Sequence, residues 1–62
     1  MLKKIQIGEM AKLNNISVQA LRHYEEKGLL MPRIIDDFTG YRYYDIDQSA
    51  QLDLIQLLKS LN

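Results

Sequence analysis

Apolar positions recur along the chain with three different spacings, and each spacing predicts an element. In Ile7-Gly8-Glu9-Met10-Ala11-Lys12-Leu13, the residues Ile7, Met10, Ala11 and Leu13 fall on an inward stripe at helical spacing, which predicts a first helix. Asn14-Asn15 follows as a turn, because asparagine tolerates the left-handed backbone region at little cost. The stretch Ser17-Val18-Gln19-Ala20-Leu21-Arg22-His23-Tyr24-Glu25-Glu26-Lys27-Gly28 then reads as a second helix with its own start and stop signals. Ser17 can accept from the free N–H groups of the first turn, and Gly28 can take the left-handed conformation that ends it. Ile16 and Leu21 stand at the spacing of a hydrophobic staple across that start. At about 100° per residue, Ala20, Leu21 and Tyr24 share an inward side, while Val18, Gln19, Arg22 and Glu26 lie opposite with His23 at the border.

Two short helices joined by so tight a turn match the requirements of a helix-turn-helix. Close crossing needs a small side chain, here Ala11; the turn needs a residue that tolerates positive φ; and Ile16 and Leu21 seat the second helix on the first.

Beyond Gly28 the spacing changes. Leu29 and Leu30 return to the core, and Pro32 prevents the helix from continuing. Arg33-Ile34-Ile35 and Tyr41-Arg42-Tyr43-Tyr44 are rich in β-branched and aromatic residues around an Asp36-Asp37-Phe38-Thr39-Gly40 turn, which predicts a β-hairpin. Alone, a two-stranded hairpin is unstable, so it must lean on the helices. Residues 2 to 6 read as a brief extended lead. Asp45 is expected to start a last helix, with Gln48 completing a capping-box-like arrangement. On that helix Ile46, Ala50, Leu54, Leu57, Leu58 and Leu61 form one stripe expected to cover the helix-turn-helix. Ile55 extends the border of the stripe, and Leu52 falls off it as an exposed leucine. A long apolar helix that stops at Ser60-Leu61-Asn62 without Gly or Pro is the expected result of a cut inside a longer protein.

Composition narrows the picture. Sixty-two residues, about half of them apolar, make one domain near the lower size limit for folding without a staple. With no cysteine and one histidine, neither a disulfide framework nor a thiolate or His-rich metal site can be built, so no cofactor or metal is expected. The N-terminal Met-Leu-Lys-Lys leads into a polar helix rather than a signal-peptide core, and no apolar run approaches membrane-spanning length. A soluble, cytoplasmic protein without membrane partners is the expectation. Net charge is zero, whereas nucleic-acid-binding domains usually carry a basic excess. Its distribution is uneven: Lys3, Lys4, Lys12, Arg22, Arg33 and Arg42 precede Asp45, Asp47 and Asp53.

The outer face of the second helix offers a small apolar group, an amide and a guanidinium, which are groups able to read base edges in a major groove. An ordinary solvated face is the alternative. On the second strand, the hydroxyl of Tyr41 and the guanidinium of Arg42 suit backbone phosphates. Equally, Tyr41 and Tyr44 can pad the small core while Arg42 is a solvated edge charge. Catalysis is disfavoured, because one histidine beside scattered carboxylates offers no enclosed site. The pairs Glu25-Glu26 and Asp36-Asp37 read as solvated surface.

Helix, tight turn, helix, hairpin and helix in that order outline a winged helix-turn-helix, mostly α with a small β-hairpin wing. Over residues 1–62 the helix-turn-helix is expected at about 7–28, the wing at about 33–44 and the further helix at about 46–61. Three motifs in order, Ile7-Gly8-Glu9-Met10-Ala11, Ser17 through Leu30, and Gly40-Tyr41-Arg42-Tyr43-Tyr44, closely resemble the N-terminal DNA-binding domain of MerR-family transcription regulators. Tyr41-Arg42-Tyr43-Tyr44 looks most like the multidrug-responsive members.

The resemblance implies that the second helix enters the major groove of double-stranded promoter DNA and that the hairpin is a wing on the flanking backbone. It implies a homodimer on a pseudo-palindromic promoter, whose overlong spacer is bent and untwisted on effector binding, so that RNA polymerase is served indirectly through deformed DNA. By position, Ser17, Val18, Gln19, Arg22 and His23 fall where the family contacts bases and nearby phosphates. Tyr24, Arg33, Tyr41 and Arg42 fall at phosphate-clamping places. His23 stands where many members have tyrosine, and a histidine there can stack and donate or carry charge. The family's dimerisation helix and effector domain are absent from this chain, so these residues alone are expected to be monomeric or weakly associated. About four to six phosphate contacts per protomer would make binding fade quickly above physiological salt. The rival reading is a small winged-helix protein-interaction module of the excisionase or anti-repressor kind, binding its partner through Leu52 and Ile55 of the last helix.

Overall fold

A computed structural model describes residues 3–61. Leu2 of the extended lead and the terminal Asn62 lie outside the described residues. The elements are β1 (Lys4–Gln6), α1 (Ile7–Leu13), α2 (Val18–Glu26), β2 (Ile34–Ile35), β3 (Arg42–Asp45) and α3 (Gln48–Ser60). This is a winged helix-turn-helix, as the order of motifs predicts.

The wing differs from a free hairpin. Its strands β2 and β3 pair antiparallel through Ile34 with Tyr43 and Ile35 with Arg42, and the lead adds a third strand on the other edge of β3. There Lys4 pairs with Asp45, Ile5 with Tyr44 and Gln6 with Tyr43. The weakness of a lone two-stranded ribbon is therefore met by a third strand as well as by the helices. Lys4-Ile5-Gln6 carries a single apolar residue between polar neighbours, which is too little alternation to announce a strand. Its one inward side chain, Ile5, is buried.

Both short helices end in the same way. After α1, Asn15 adopts φ 56°, and the N–H groups of Asn15 and Ile16 donate back to Lys12 O and Ala11 O at 3.3 and 3.0 Å. After α2, Gly28 adopts φ 72°, and the N–H groups of Gly28 and Leu29 donate to Glu25 O and Tyr24 O at 3.0 and 2.8 Å. Each is a Schellman motif, which satisfies the last carbonyls of the helix while reversing the chain. The start of α2 is fixed by Ser17, whose hydroxyl oxygen accepts from Ala20 N–H at 3.0 Å. Between these signals only Ile16 and Ser17 separate the turn from α2.

The core consists of Ile5, Met10, Ala11, Leu21, Tyr24, Leu30, Tyr44 and Leu52, with Ile7, Ile16, Val18 and Ile55 packed against it. On α1 the expected stripe is correct except for Leu13, which is exposed. At 100° per residue Leu13 sits about 110° from the centre of the Ile7, Met10 and Ala11 stripe.

On α3 the expected face is wrong. Leu52, read as exposed, is fully buried, whereas Leu54, Leu57 and Leu58 are more than half exposed and Leu61 is 75% exposed. The face turned inward runs through Gln48, Leu52 and Ile55 to the exposed Lys59, spaced four, three and four residues apart. Its first and last members are polar, so a count of leucines cannot find it. Gln48 is buried because its amide is bonded at both ends: Oε1 accepts from Asp45 N–H at 2.9 Å, and Nε2 donates to Met31 O at 2.7 Å. Lys59 lays its ammonium over the Tyr24 ring at 5.1 Å. The helix itself begins at Gln48 rather than at Asp45, which closes β3 while its carboxylate accepts from Asp47 N–H at 3.1 Å.

These two faces of α3 make opposite stability predictions. Leu52→Ala should cost about 2–5 kcal/mol, enough to threaten folding of so small a domain. Leu57→Ala should change stability by no more than about 0.5 kcal/mol. Urea denaturation of both variants checks the pair, and equal losses would mean that α3 packs through its leucine stripe after all.

Candidate nucleic-acid interface

Burial of Leu21 and Tyr24 turns the opposite side of α2 to solvent. There Val18, Gln19, Arg22, His23 and Glu26 line one open depression. Gln19, Arg22 and His23 are exposed, while Val18 is half-buried and presents only its rim. Ser17 begins this face, with its hydroxyl oxygen already engaged as the helix cap.

A second groove runs from α2 to the wing, lined by Gln6, Ile7, Arg22, Gly40, Tyr41 and Arg42, and a third depression joins Arg22, Glu25, Glu26, Met31 and Arg42. Arg22 belongs to all three, and it makes no ion pair among the described residues. It is thus a free guanidinium at the junction of helix face and wing. A long cation placed there can reach either a base edge or a backbone phosphate.

Arg42 is neither free nor a solvated edge charge. Its Nε donates to Glu25 Oε1 at 2.6 Å, in a pair whose side chains are 30% and 16% exposed. The hydrogen bond and charge of Glu25 hold the Arg42 pKa above its ordinary value. Glu25, read from sequence as solvated surface, is instead the tie between α2 and the wing. No signal in a single sequence connects two residues that far apart. Below the pair, the Tyr44 ring is completely buried, and burial first, then the Glu25 charge, pushes its phenol pKa up.

Of the two residues proposed either to pad the core or to face outward, Tyr44 pads the core and Tyr41 projects. Tyr41 is held by its backbone: its carbonyl accepts from Asp36 N–H at 2.9 Å, and its N–H donates to Thr39 Oγ1 at 3.1 Å. Asp36 is likewise no idle surface charge. Its carboxylate accepts from Phe38 N–H at 2.8 Å and Thr39 N–H at 2.9 Å, which orders the wing turn. At the tip the Phe38 ring is completely exposed, a feature that the turn signal did not reveal.

Two expected phosphate contacts lie elsewhere. Tyr24 is 5% exposed, three residues beyond Leu21 on the inward face, and its ring is roofed by Lys59. Its ring is part of the core, so any phosphate contact falls to its hydroxyl edge alone. Arg33 is exposed just before β2 and lines none of the three depressions.

The arrangement has a counterpart among known proteins. A family model described as "MerR family regulatory protein" matches residues 6–44, from the last residue of β1 through the helix-turn-helix and into β3 of the wing. The chain belongs to the MerR family. Members of this family are DNA-binding transcription regulators, not enzymes. The MerR-type domain is 49% identical over 53 residues to the multidrug-efflux transporter 1 regulator of Bacillus subtilis, covering 86% of this chain and 19% of that protein. It is 40% identical over 58 residues to the transcriptional regulator BrlR of Pseudomonas aeruginosa, covering 94% of this chain and 22% of that protein. With the HTH-type transcriptional regulator CueR of Vibrio cholerae it shares 37% identity over 51 residues, covering 82% and 36%. The chain therefore spans about a fifth of the first two relatives. Among the described residues of this MerR-type domain, no helix is long and apolar enough to cross a membrane.

The wing turn should respond to acid. Backbone donation from Thr39 and Phe38 lowers the Asp36 pKa below its ordinary value. A depressed carboxylate stabilises the folded turn above the ordinary aspartate pKa of about 3.9, and that contribution disappears as the pH falls through the lower folded value. In an amide chemical-shift titration, Phe38 and Thr39 should hold their positions from neutral pH down to about 4 and then move together at lower pH. Movement of these two amides near neutrality would contradict the assignment.

Proposed function

We propose that this MerR-type domain binds double-stranded promoter DNA, with the outer face of α2 in the major groove and the wing on the flanking backbone. The observation that carries this reading is Arg22, an unpaired guanidinium shared by the helix face and the wing groove. Gln19 and Arg22 offer the amide and guanidinium that read base edges, and Val18 offers an apolar rim. His23, with its ring exposed beside them, extends that face. Ser17, Tyr41 and Arg42 supply hydroxyl and guanidinium donors toward phosphates.

Zero net charge does not oppose this placement, because the pairing of Arg42 with Glu25 and the exposure of Arg22 concern local rather than total charge. In the whole protein, the domain serves a homodimer that distorts its promoter in response to an effector and acts on RNA polymerase through the DNA. Similarity to a multidrug-efflux transporter regulator favours a response to multiple drugs. The protein-interaction alternative loses ground on one point: Leu52, one of its two proposed contact residues, is buried in the core.

An amide chemical-shift titration with a generic mixed-sequence duplex at low salt tests the interface. Shifts should concentrate on Val18 to His23 and on Tyr41 and Arg42, and should weaken steeply as salt is added. Arg22→Ala should remove most of the response. Arg42→Ala should weaken binding to all sequences alike and reduce the salt slope by about one. Shifts confined to α3 would replace DNA with a protein partner.

A further inference from the structure

The Arg42 guanidinium is tied to α2 through its Nε edge. Glu25 Oε1 takes Nε at 2.6 Å, while Nη1 reaches Gly40 O at a longer 3.4 Å, in the wall of the groove that Gly40 and Arg42 share with Arg22 and Tyr41. Nη2 has no hydrogen-bond partner among the described residues. A guanidinium has five donors in a rigid plane, so fixing the Nε edge fixes where the Nη donors point. Arg42 itself stands on β3, whose backbone is paired on both sides, and Glu25 stands on the last turn of α2. Both ends of the tie are therefore anchored to regular structure.

We propose that Glu25 is a positioning residue for phosphate binding: it holds Arg42 by Nε so that the Nη donors are already oriented in the groove between α2 and the wing. This rests on the DNA-binding reading above. The usual cost of immobilising a long side chain on binding is met in the free domain by an acidic residue that itself never touches DNA. Phosphate and Glu25 do not compete, because they use different edges of one guanidinium.

The sign of one substitution separates this from a simple charge effect. As a bystander carboxylate near DNA, Glu25 repels phosphate, and Glu25→Ala should tighten binding. As a positioning residue, its removal frees the Arg42 side chain, and Glu25→Ala should weaken binding to a generic mixed-sequence duplex at low salt by about three- to tenfold. Glu25→Gln keeps an acceptor for Nε–H and should recover most of the loss. In an Arg42→Ala background, Glu25→Ala should bring no further weakening, which a general effect on α2 would produce. Without DNA, the Arg42 Nε–H resonance should be protected from exchange in the natural chain and in Glu25→Gln, but not in Glu25→Ala.

Unchanged or tighter binding by Glu25→Ala, with an unchanged melting temperature and with the Arg22→Ala defect still present, overturns the positioning role and leaves the DNA-binding reading standing. Absence of any duplex-induced shift in the natural chain overturns both. If Glu25→Ala fails to fold, the folded Glu25→Gln variant decides through its Nε–H protection and its affinity: a lost resonance together with natural-level binding overturns the proposal.

Discussion

Because β3 is hydrogen-bonded along both edges, through Lys4, Ile5 and Gln6 on one side and Ile34 and Ile35 on the other, its side chains cannot slip. A shift of one residue would turn every side chain to the opposite face, carrying Tyr44 out of the core and Arg42 away from Glu25. The same register places Asp45 where its N–H meets Gln48 and its carboxylate meets Asp47 N–H, so the start of α3 is set by the end of the strand. Four consecutive residues thus coordinate the wing, the core, the tie to α2 and the direction of the last helix.

What could be read from sequence was local. Ser17, Asn15 and Gly28 announce their roles through backbone chemistry that needs no distant partner, and the structure gives each the predicted role. The inward faces of α1 and α2 follow from a single apolar stripe, from which Leu13 departs outward and which Val18, placed opposite it by spacing, partly joins. Where a partner was needed, the reading failed. Leu52 reads as exposed because it falls off the stripe of leucines, and its neighbours on the true packing face, Gln48 and Lys59, are polar. Their burial or contact becomes reasonable only with Met31 O and the Tyr24 ring in place. Glu25 and Asp36 looked like surface charges for the same reason: each is defined by what it bonds to. Of the candidate interface, the outer face of α2 and the inward place of Tyr24 are legible from helical spacing, while the projection of Tyr41 and the pairing of Arg42 are not.

The surface between α2 and the wing is not strongly electropositive. One of its two arginines is already neutralised, and Glu26 adds an acid at the edge of the helix face. A surface of this kind gains little from long-range attraction, so discrimination depends on how exactly a few donors are aimed. The backbone devices that fix those donors are correspondingly dense. Asp36 and Thr39 organise the turn before Tyr41, and Gln6 Nε2 lies 3.4 Å from Tyr43 Oη across the β1–β3 pair.

The pairing of β1 with β3 also bears on how the domain comes to be folded. Lys4 and Asp45 are neighbours in the sheet but lie far apart in the sequence, whereas the crossing of α1 and α2 joins segments only a few residues apart. Closing the larger loop carries the larger entropic cost and slows the step that requires it. During synthesis from the N-terminus, the helix pair can form while β1 still lacks its partner, and the sheet closes only once β3 has emerged. β1, made well before the strand it pairs with, must wait for that partner to find its place.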